Sequence, residues 1–461
     1  MSLPYQAPPR SPASRAASFF VVASLVTGLV HLLATPPFQA PDEAAHFFRA
    51  WRVSEGRLDL RPGRDRAWIE VPAGLLRAGA ELYGAPPFRA ERAISLDELR
   101  RAAAVPVGAE RERVYVPNAL QYTFVPYVPQ AAGIALARAG GSSALLALYA
   151  ARLGNLAVAT FLIWLAIRRL PAYRWLTTAL ALTPMAVALR ASASADALAL
   201  AATCSFVALV ADAAWGAAPL RPRTFAALIA AAALLGATKA AYVPLAALVL
   251  LIPRARWQAG RRWVWLAACA LLLAVVTAWA LATARAVPAL RVDAAVDPTR
   301  QVAHALAHPL GFAAILARDY ALHAPRYATQ LVGKLGWLDV PLPWAFLAGY
   351  LLLLLALVVF DGSREVELRH WQRWLVGGAA TACLVLVSAS QYALWTPLGA
   401  SFVEGVQGRH LLPVAVAAIW AFHTGRWATR RPLALVATVM AASALSLLVA
   451  ARALVEHYFR G

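Results

Sequence analysis

The run ASFFVVASLVTGLVHLLA at residues 17–34 decides the structural class of this chain. It contains no acidic side chain, no lysine and no arginine, and it is long enough to cross the hydrocarbon core of a bilayer as a helix. Comparable apolar runs recur as far as residue 454. The sequence therefore predicts an all-α polytopic membrane protein.

The composition supports this prediction. Apolar residues make up 61% of the chain and charged residues 14%, whereas soluble domains are nearer one half and one quarter. The net charge is +20, but the basic residues do not cluster with aromatic residues on a polar domain, which argues against nucleic-acid binding. Cys204, Cys269 and Cys383 lie in apolar runs, so we expect buried packing rather than disulfide or metal chemistry.

The first apolar run resembles a signal peptide, but many apolar runs follow it, so we predict an uncleaved anchor. Arg10 and Arg15 then place residues 1–16 in the cytoplasm as a tail, with residues 17–34 as the first span. Residues 35–144 are predicted to form a large first extracytoplasmic loop. Its part 35–118 carries 12 of the 23 acidic residues and 13 arginines, and loops this long are usually functional.

Residues 119–137 are predicted to be a juxtamembrane or half-inserted helix. Pro117, Pro126 and Pro129 interrupt the front half of this stretch and leave too little apolar helix to cross. A crossing here would also move the arginine cluster that follows 145–167 to the outer face.

About eleven spans follow from this topology, with ten to thirteen as the range. Every short inside loop then carries arginine, so that residue 80 lies outside and residue 258 inside. Residues 145–284 hold spans two to seven, 285–341 form a second outer loop, and 342–461 hold spans eight to eleven. The short pieces at 224–237 and 240–252 also fit half-helices that meet at Thr238-Lys239. The predicted spans are 17–34, 145–167, 175–190, 194–214, 224–237, 240–252, 262–284, 342–360, 373–391, 410–424 and 432–452.

The same topology places all the unusual polar motifs at the membrane edge on the outer face, as a single site would require. These motifs are Pro41-Asp42-Glu43, Arg190 to Asp196, Lys239, Gly336 to Asp339, and Gln407-Gly408-Arg409-His410.

The first motif belongs to the stretch PPFQAPDEAAHFFRAW at residues 36–51. Helical periodicity puts Asp42, His46 and Arg49 on one edge and aromatic side chains on the other, which is typical of a helix lying on a membrane. The polar edge with Asp42 fits a general base. It also fits a site in which Asp42 and Glu43 bind a divalent cation such as Mg²⁺ or Mn²⁺. The alternative is helix capping with an ordinary surface ladder of charges.

The remaining motifs offer cations to an anion. Lys239 lies between two apolar half-helices and fits a lipid-phosphate contact, although a lysine that snorkels to the interface is the alternative. Arg409 lies at the start of an apolar helix beside Gln407 and His410. It fits a phosphate-binding site or an interfacial anchor.

Two further acids are candidates with simpler alternatives. Asp196 fits the site or a helix N-cap, and Asp339 fits a second acid or a turn residue. The sequence has no phosphate loop of the Walker type, no Gly-x-Ser-x-Gly elbow and no Cys/His set with metal spacing, which disfavours ATP hydrolysis and serine esterase chemistry.

Four motifs together resemble a family of bacterial membrane proteins, domain of unknown function 2142, which is grouped with the GT-C glycosyltransferase superfamily. They are PPFQAPDEAAHF (36–47), TKAAYVPL (238–245), GWLD (336–339) and QGRHLLP (407–413). The resemblance implies a GT-C-like fold and an enzyme that takes a sugar from a polyprenyl-phosphate donor. It implies Asp42 as the catalytic acidic residue, with Glu43 beside it. We further predict that Asp42 is the general base with Glu43 and His46 in support, and that Lys239, Arg409, His410 and Arg49 hold the donor phosphate.

These observations together predict an inner-membrane glycosyltransferase with a cytoplasmic N-terminus. The acceptor would be a glycan, lipid or protein of the cell envelope. A transporter or flippase of lipid-linked saccharides is the first rival, and a non-catalytic subunit of an envelope assembly is the second. The 84-residue outer loop at 35–118 favours the enzyme, because alternating access needs comparable gating on both faces and no internal repeat is evident.

Overall fold

The computed structural model describes residues 12–58, 67–84, 93–120, 122–216, 220–257, 261–284, 295–429 and 432–459, and this part of the chain is mainly helical. Its α-helices are α1 (Pro12–Ala34), α2 (Glu43–Ser54), α3 (Ala73–Tyr83), α4 (Leu96–Ala104), α5 (Pro117–Leu120), α6 (Val128–Ala139), α7 (Ala144–Arg169), α8 (Arg174–Ala181), α9 (Pro184–Arg190), α10 (Ala195–Trp215), α11 (Pro222–Thr238), α12 (Arg261–Ala284), α13 (Pro298–Ala307), α14 (Pro309–Gly333), α15 (Trp344–Phe360), α16 (His370–Leu394), α17 (Leu412–Ala418) and α18 (Pro432–Tyr458). The 3-10 helices are Val125–Tyr127, Ala240–Leu251, Arg254–Arg256, Gly408–Leu411 and Ile419–Phe422.

Strands are short and few in the described residues. Strand β1 (Trp68–Pro72) pairs antiparallel with β2 (Arg111–Tyr115), and β3 (Lys334–Leu335) pairs antiparallel with β4 (Val340–Pro341). The first pair lies in the predicted outer loop, and the second frames the GWLD motif as a hairpin. The predicted second outer loop also contains α13 and α14.

Six helices in the described part of the chain are long and apolar enough to cross a membrane: α1, α7, α10, α12, α16 and α18. They lie where six spans were predicted. Four shorter apolar helical segments, Pro222–Thr238, Ala240–Leu251, Trp344–Phe360 and Gly408–Phe422, lie where four further spans were predicted. The chain is therefore a multi-pass membrane protein. Arg10 and residue 258, which contribute to the predicted orientation, lie outside the described residues.

The prediction of one continuous span at 175–190 is wrong. Two short helices, α8 and α9, replace it, and the chain turns between them. Pro184 is the first residue of α9, and the hydroxyl of Thr183 caps that helix by accepting the backbone N–H of Ala186 at 3.2 Å. Proline lacks the N–H that a continuous helix would use here and clashes with the preceding turn, so the helix must end and restart.

Helix α10 is the centre of the bundle. Its apolar stretch is 89% buried, against 6% for that of α12, which lies at the periphery. It packs against α7, α11 and α17. Many of its side chains are alanine, and small residues allow the neighbouring helix backbones to approach closely.

The segment predicted to be the first outer loop packs on α7. Residues of α2, β1 and α3 share a hydrophobic core with the first turns of α7. Helix α4 begins with a capping box in which Ser95 and Glu98 satisfy each other's backbone N–H groups. Helix α6 has 12 residues, spans about 18 Å and packs on α7, in keeping with the predicted juxtamembrane position.

Helix α2 corrects one expectation. It was predicted to lie on the membrane with one polar edge in water, but residues on both edges are buried, including Arg49 and Trp51. The polar edge of α2 therefore faces the protein interior, where its side chains need partners.

Candidate functional site

Asp42 precedes α2 in a strained backbone conformation. Its φ is 61° and its ψ 8°, in the left-handed region, and its side chain makes no capping hydrogen bond. A residue other than glycine rarely adopts this conformation, which costs on the order of 1 kcal/mol or more. Helix capping therefore does not account for this carboxylate.

Both oxygens of the Asp42 carboxylate accept hydrogen bonds from residues far away in the chain. Asn118 Nδ2 donates to Oδ1 at 2.7 Å, and Arg409 Nη2 donates to Oδ2 at 2.8 Å. Burial alone would raise the pKa of Asp42, but the cation of Arg409 and these two bonds hold it below its usual value. Asp42 is therefore ionised at neutral pH and is a weak base.

A second ion pair lies next to the first. Lys239 Nζ donates to Asp196 Oδ1 at 2.9 Å, and Arg409 Nε lies 3.8 Å from Asp196 Oδ2. The four side chains Asp42, Arg409, Asp196 and Lys239 form a continuous chain of alternating charge, which we call the charged cluster. Its two acids balance its two bases.

The N-cap alternative for Asp196 is not met. Ser194 occupies the N-cap of α10, and its hydroxyl accepts the backbone N–H of Asp196 at 3.2 Å. The buried amide of Asn155 on α7 holds the preceding turn by donating to the carbonyls of Ser192 and Ser194 at 2.7 and 2.9 Å. Asp196 is thus free to direct its carboxylate to Lys239.

Each of the two cations lies where one helical segment ends and another begins. Lys239 is an extended residue between α11, which ends at Thr238, and the 3-10 helix that begins at Ala240. This confirms the predicted meeting of two half-helices. Its ammonium lies 5.9 Å from the ring centre of Tyr122 and 5.7 Å from that of Tyr242, within the range of cation–π attraction.

Gly408 allows the backbone before Arg409 to pack closely against α14. Its backbone N–H donates to Gln330 Oε1 at 2.9 Å, and a Cβ atom at this position would lie 2.4 Å from both Leu331 N and Tyr327 O on α14. Only glycine fits so close to that backbone. The following residue, Arg409, is thereby directed into the charged cluster.

His46 lies beside the charged cluster with a defined hydrogen-bond direction. Tyr127 donates its hydroxyl proton to the carbonyl of Ala119 at 3.0 Å, so it must accept from His46 Nδ1, which is 2.9 Å away. Burial raises the pKa of Tyr127 well above its usual value, which keeps the phenol neutral and able to donate. His46 therefore carries its proton on Nδ1, and the lone pair of Nε2 remains available.

Burial also lowers the pKa of His46 below its usual value, with Arg409 and Lys239 acting in the same direction and Asp42 and Asp196 opposing. The imidazole is neutral at pH 7. Among the residues that the structure describes, Nε2 of His46 makes no hydrogen bond.

Glu43 does not join the charged cluster. Its carboxylate is fully buried in a bidentate pair with Arg152, with Nη2 to Oε2 at 2.6 Å and Nε to Oε1 at 2.8 Å. It also accepts the backbone N–H of Phe38 and of Ala193, both at 2.9 Å. Glu43 thus fastens the start of α2 to the turn before α10 and positions Asp42 relative to Asp196.

This arrangement does not fit the predicted metal pair. Both oxygens of Glu43 are engaged by Arg152 and backbone N–H groups, and both oxygens of Asp42 are engaged by Asn118 and Arg409. Across the described residues, moreover, no group of three or more His, Cys, Asp or Glu side chains could hold a metal ion.

The other predicted residues lie at or near the site in different roles. His410 contributes its carbonyl as acceptor for the hydroxyl of Tyr242 at 2.9 Å, and the backbone N–H of Gln407 donates to His410 Nδ1 at 3.4 Å. Arg49 is buried and donates to the carbonyl of Leu58 at 3.2 Å. Asp339 ends the hairpin turn and pairs with His457 at 3.3 Å.

An apolar cleft of about 370 Å³ opens beside Lys239. Helix α11 contributes Gly236 to its wall, α12 contributes Leu272 and Val276, and α16 contributes Gln391. Tyr122 and Lys239 form its polar end. The site therefore joins a charged head to a hydrocarbon-lined groove.

Comparison with known proteins gives one match. No curated protein and no solved structure matches the chain significantly. The model of a family described as predicted membrane protein (DUF2142) matches residues 25–418, which run from the middle of α1 to the end of α17 and include every residue of the charged cluster. The chain therefore belongs to the DUF2142 family of predicted membrane proteins.

Proposed function

We propose that this protein is a membrane glycosyltransferase that moves a sugar from a polyprenyl-phosphate donor to an acceptor of the cell envelope. The observation that carries the proposal is the charged cluster at the mouth of the apolar cleft. An amphiphile with an anionic head and a hydrocarbon tail is the ligand that this combination suits.

Arg409 supports a phosphate at the charged cluster. Its side chain is buried, and its Nε–H makes no hydrogen bond to any described residue. A buried N–H without a partner costs free energy that a phosphate oxygen would recover, and guanidinium groups match phosphate geometry. Among the described residues, Lys239 uses one of its three donors, on Asp196, which leaves two for a ligand.

The cleft supports a hydrocarbon tail. Its walls come from α11 and α12, and α12 faces outward over most of its length, so a lipid can enter sideways from the bilayer. A soluble nucleotide sugar would not need such an entrance. The transfer would take place at the polar end of the cleft, because Lys239 lies there and would bind the donor phosphate.

The transfer step needs a proton acceptor. The acceptor hydroxyl attacks the anomeric carbon, the bond from that carbon to the phosphate oxygen breaks, the polyprenyl phosphate leaves and the hydroxyl proton passes to a base. Family resemblance implies Asp42 for this role. The hydrogen bonds favour His46 instead, because its Nε2 makes no hydrogen bond to a described residue, while Arg409 and Asn118 bind the carboxylate of Asp42 and lower its basicity. In this proposal Asp42 orients Arg409.

The arginine distribution supports an inner-membrane protein with a cytoplasmic N-terminus and an extracytoplasmic site. Single cysteines introduced at Glu112 and Glu365, both exposed, test this orientation. In intact spheroplasts an impermeant maleimide should label position 112 and not position 365, and the reverse pattern would contradict an extracytoplasmic site.

Donor binding is tested with polyprenyl phosphate itself as the probe, on protein in nanodiscs. Arg409→Gln should weaken binding about ten- to hundred-fold, as expected for loss of a charge-assisted hydrogen bond worth about 1.5–3 kcal/mol. Arg452→Gln is the matched control, because Arg452 is exposed and its partner among the described residues is Glu456, one helical turn away. Equal affinity in both variants would remove Arg409 from the site.

Transfer itself separates the enzyme from a flippase. Proteoliposomes supplied with a radiolabelled polyprenyl-phosphate sugar and envelope acceptors should release labelled product and free polyprenyl phosphate. Movement of the intact labelled lipid across the bilayer without cleavage would favour the transporter.

A further inference from the structure

A second cleft lies at the opposite end of α10 from the charged cluster. Asp196 is in the first turn of α10 and Trp215 is its last residue, so the two ends are about 30 Å apart, which is the thickness of a bilayer core. The cleft at the far end has a volume of about 680 Å³. Its walls come from the ends of α10 and the 3-10 helix Ala240–Leu251 and from the starts of α12 and α16.

Three arginines and four tryptophans surround this cleft, with Glu367 as its one acid. They are Arg254, Arg262, Arg369, Trp215, Trp257, Trp265 and Trp371. Within the described residues, none of the three guanidinium groups donates to an acceptor. Tryptophan and arginine are the side chains that suit the boundary between lipid headgroups and acyl chains.

The indole groups of the cleft differ in one respect. Trp215 donates its N–H to the carbonyl of Glu367 at 3.1 Å, and Trp257 donates to that of Ile252 at 3.3 Å. Trp265 is 2% exposed, stacks on Phe206, and its indole N–H is buried without any hydrogen bond to the described residues. A buried donor of this kind normally has an acceptor, and here the described part of the protein supplies none.

We propose that this cleft binds an anionic phospholipid, whose phosphate is held by Arg262, Arg369 and the Trp265 N–H. The acyl chains would follow the outer face of α12, where Val264 and Leu266 are exposed. A zwitterionic lipid suits the cleft less well, because its own cation would meet three arginines and a single acid.

This inference is independent of glycosyl transfer, since the cleft shares no residue with the charged cluster. With both proposals, the 3-10 helix Ala240–Leu251 has a ligand at each end. It begins next to Lys239 and ends at Leu251, which lines this cleft.

Native mass spectrometry of the full-length protein tests the proposal, with phosphatidylglycerol as probe and phosphatidylcholine of the same acyl chains as reference. We expect clear preference for the anionic lipid. Arg262→Gln and Arg369→Gln should each lower its affinity about five-fold, and together about twenty-five-fold, as expected for arginines at a lipid surface. Trp265→Phe, which keeps an aromatic ring against Phe206 but lacks the indole N–H, should also weaken binding, whereas Arg452→Gln should not.

Two results would overturn the proposal. Equal affinity for the two lipids, or an unchanged affinity in the double arginine variant that still unfolds at the wild-type temperature, means that these arginines are interfacial anchors only. Glycerol 3-phosphate is the third probe. Binding of this soluble phosphate as tight as that of the lipid would identify a soluble anion as the ligand.

Discussion

The guanidinium of Arg409 donates to the carboxylate of Asp42 at 2.8 Å across 367 positions of sequence. This one bond joins the predicted first outer loop to the last third of the chain. It also occupies one Asp42 oxygen while Asn118 occupies the other. A carboxylate held in this way is suited to orient a cation, and poorly suited to remove a proton.

Replacement of Asp42 by asparagine distinguishes the two roles. Asparagine keeps the size of the side chain and can still accept from Arg409, so transfer should fall less than about ten-fold if Asp42 only orients. If Asp42 is the proton acceptor, the loss should reach about two orders of magnitude or more. The measurement is turnover of a radiolabelled polyprenyl-phosphate sugar. Asp97→Asn, at an exposed acid that pairs with Arg100, is the matched control.

Replacement of His46 by glutamine should lower transfer about a hundred-fold or more and leave polyprenyl-phosphate binding unchanged, because the phosphate contacts lie on Arg409 and Lys239. The wild-type rate should increase with pH as His46 loses its proton. Since burial lowers the pKa of His46, the midpoint should lie below about 6.5, and the rate should be flat at pH 7. Persistence of the same acidic limb in the His46→Gln variant would assign it to another group.

Tyr127→Phe extends this test without touching the imidazole. The variant removes the acceptor that holds the His46 proton on Nδ1, so the proton can move to Nε2 and block the proposed base. We expect a smaller loss of transfer than in His46→Gln, with the ¹⁵N shifts of His46 moving toward the other tautomer. Full activity with a changed tautomer would contradict the role of Nε2.

Much of the site could be predicted from the sequence because the distribution of arginines among the loops predicts the topology. The predicted inside loops indicate which helix ends share a face, and the structure brings Asp42, Asp196, Lys239 and Arg409 together. The half-helix junction at Lys239 followed from the short apolar runs around it. Asn118 and Tyr127 carried no comparable signal, since they belong to a Pro-rich stretch without clear periodicity.

Two features were missed although the sequence contained a signal for them. Arg152 lies within the predicted span 145–167, and a charge inside a span calls for a partner. Pro184 likewise marks the break that divides the predicted span 175–190. The inward direction of Glu43 could not be predicted, because helix periodicity gives the angle between Asp42 and Glu43 but not which of them faces the core.

Arg152→Met should destabilise the protein strongly. The guanidinium is fully buried, pairs with Glu43 and donates to the carbonyls of Leu32, Thr35 and Pro36. Removal of one partner leaves the other charge buried and unpaired, at a cost of about 3–5 kcal/mol. We expect a large fall in the unfolding temperature in detergent. Glu456→Gln, which breaks only the exposed pair with Arg452, should stay within about 0.5 kcal/mol of wild type. A small effect of Arg152→Met would mean that Glu43 has another cation.

Gly408→Ala tests whether the close approach to α14 positions Arg409. A Cβ atom would lie 2.4 Å from Leu331 N and from Tyr327 O, and these backbone atoms cannot move aside as a flexible side chain would. The 3-10 helix Gly408–Leu411 should shift outward and carry Arg409 away from Asp42, at a cost of about 1–3 kcal/mol in stability. Polyprenyl-phosphate binding should weaken about as much as in Arg409→Gln. Gly377→Ala on α16 is the matched control, since a Cβ atom there would have no described atom within 4 Å, and alanine suits a helix interior better than glycine. Wild-type binding in Gly408→Ala would show that Arg409 reaches the charged cluster without this contact.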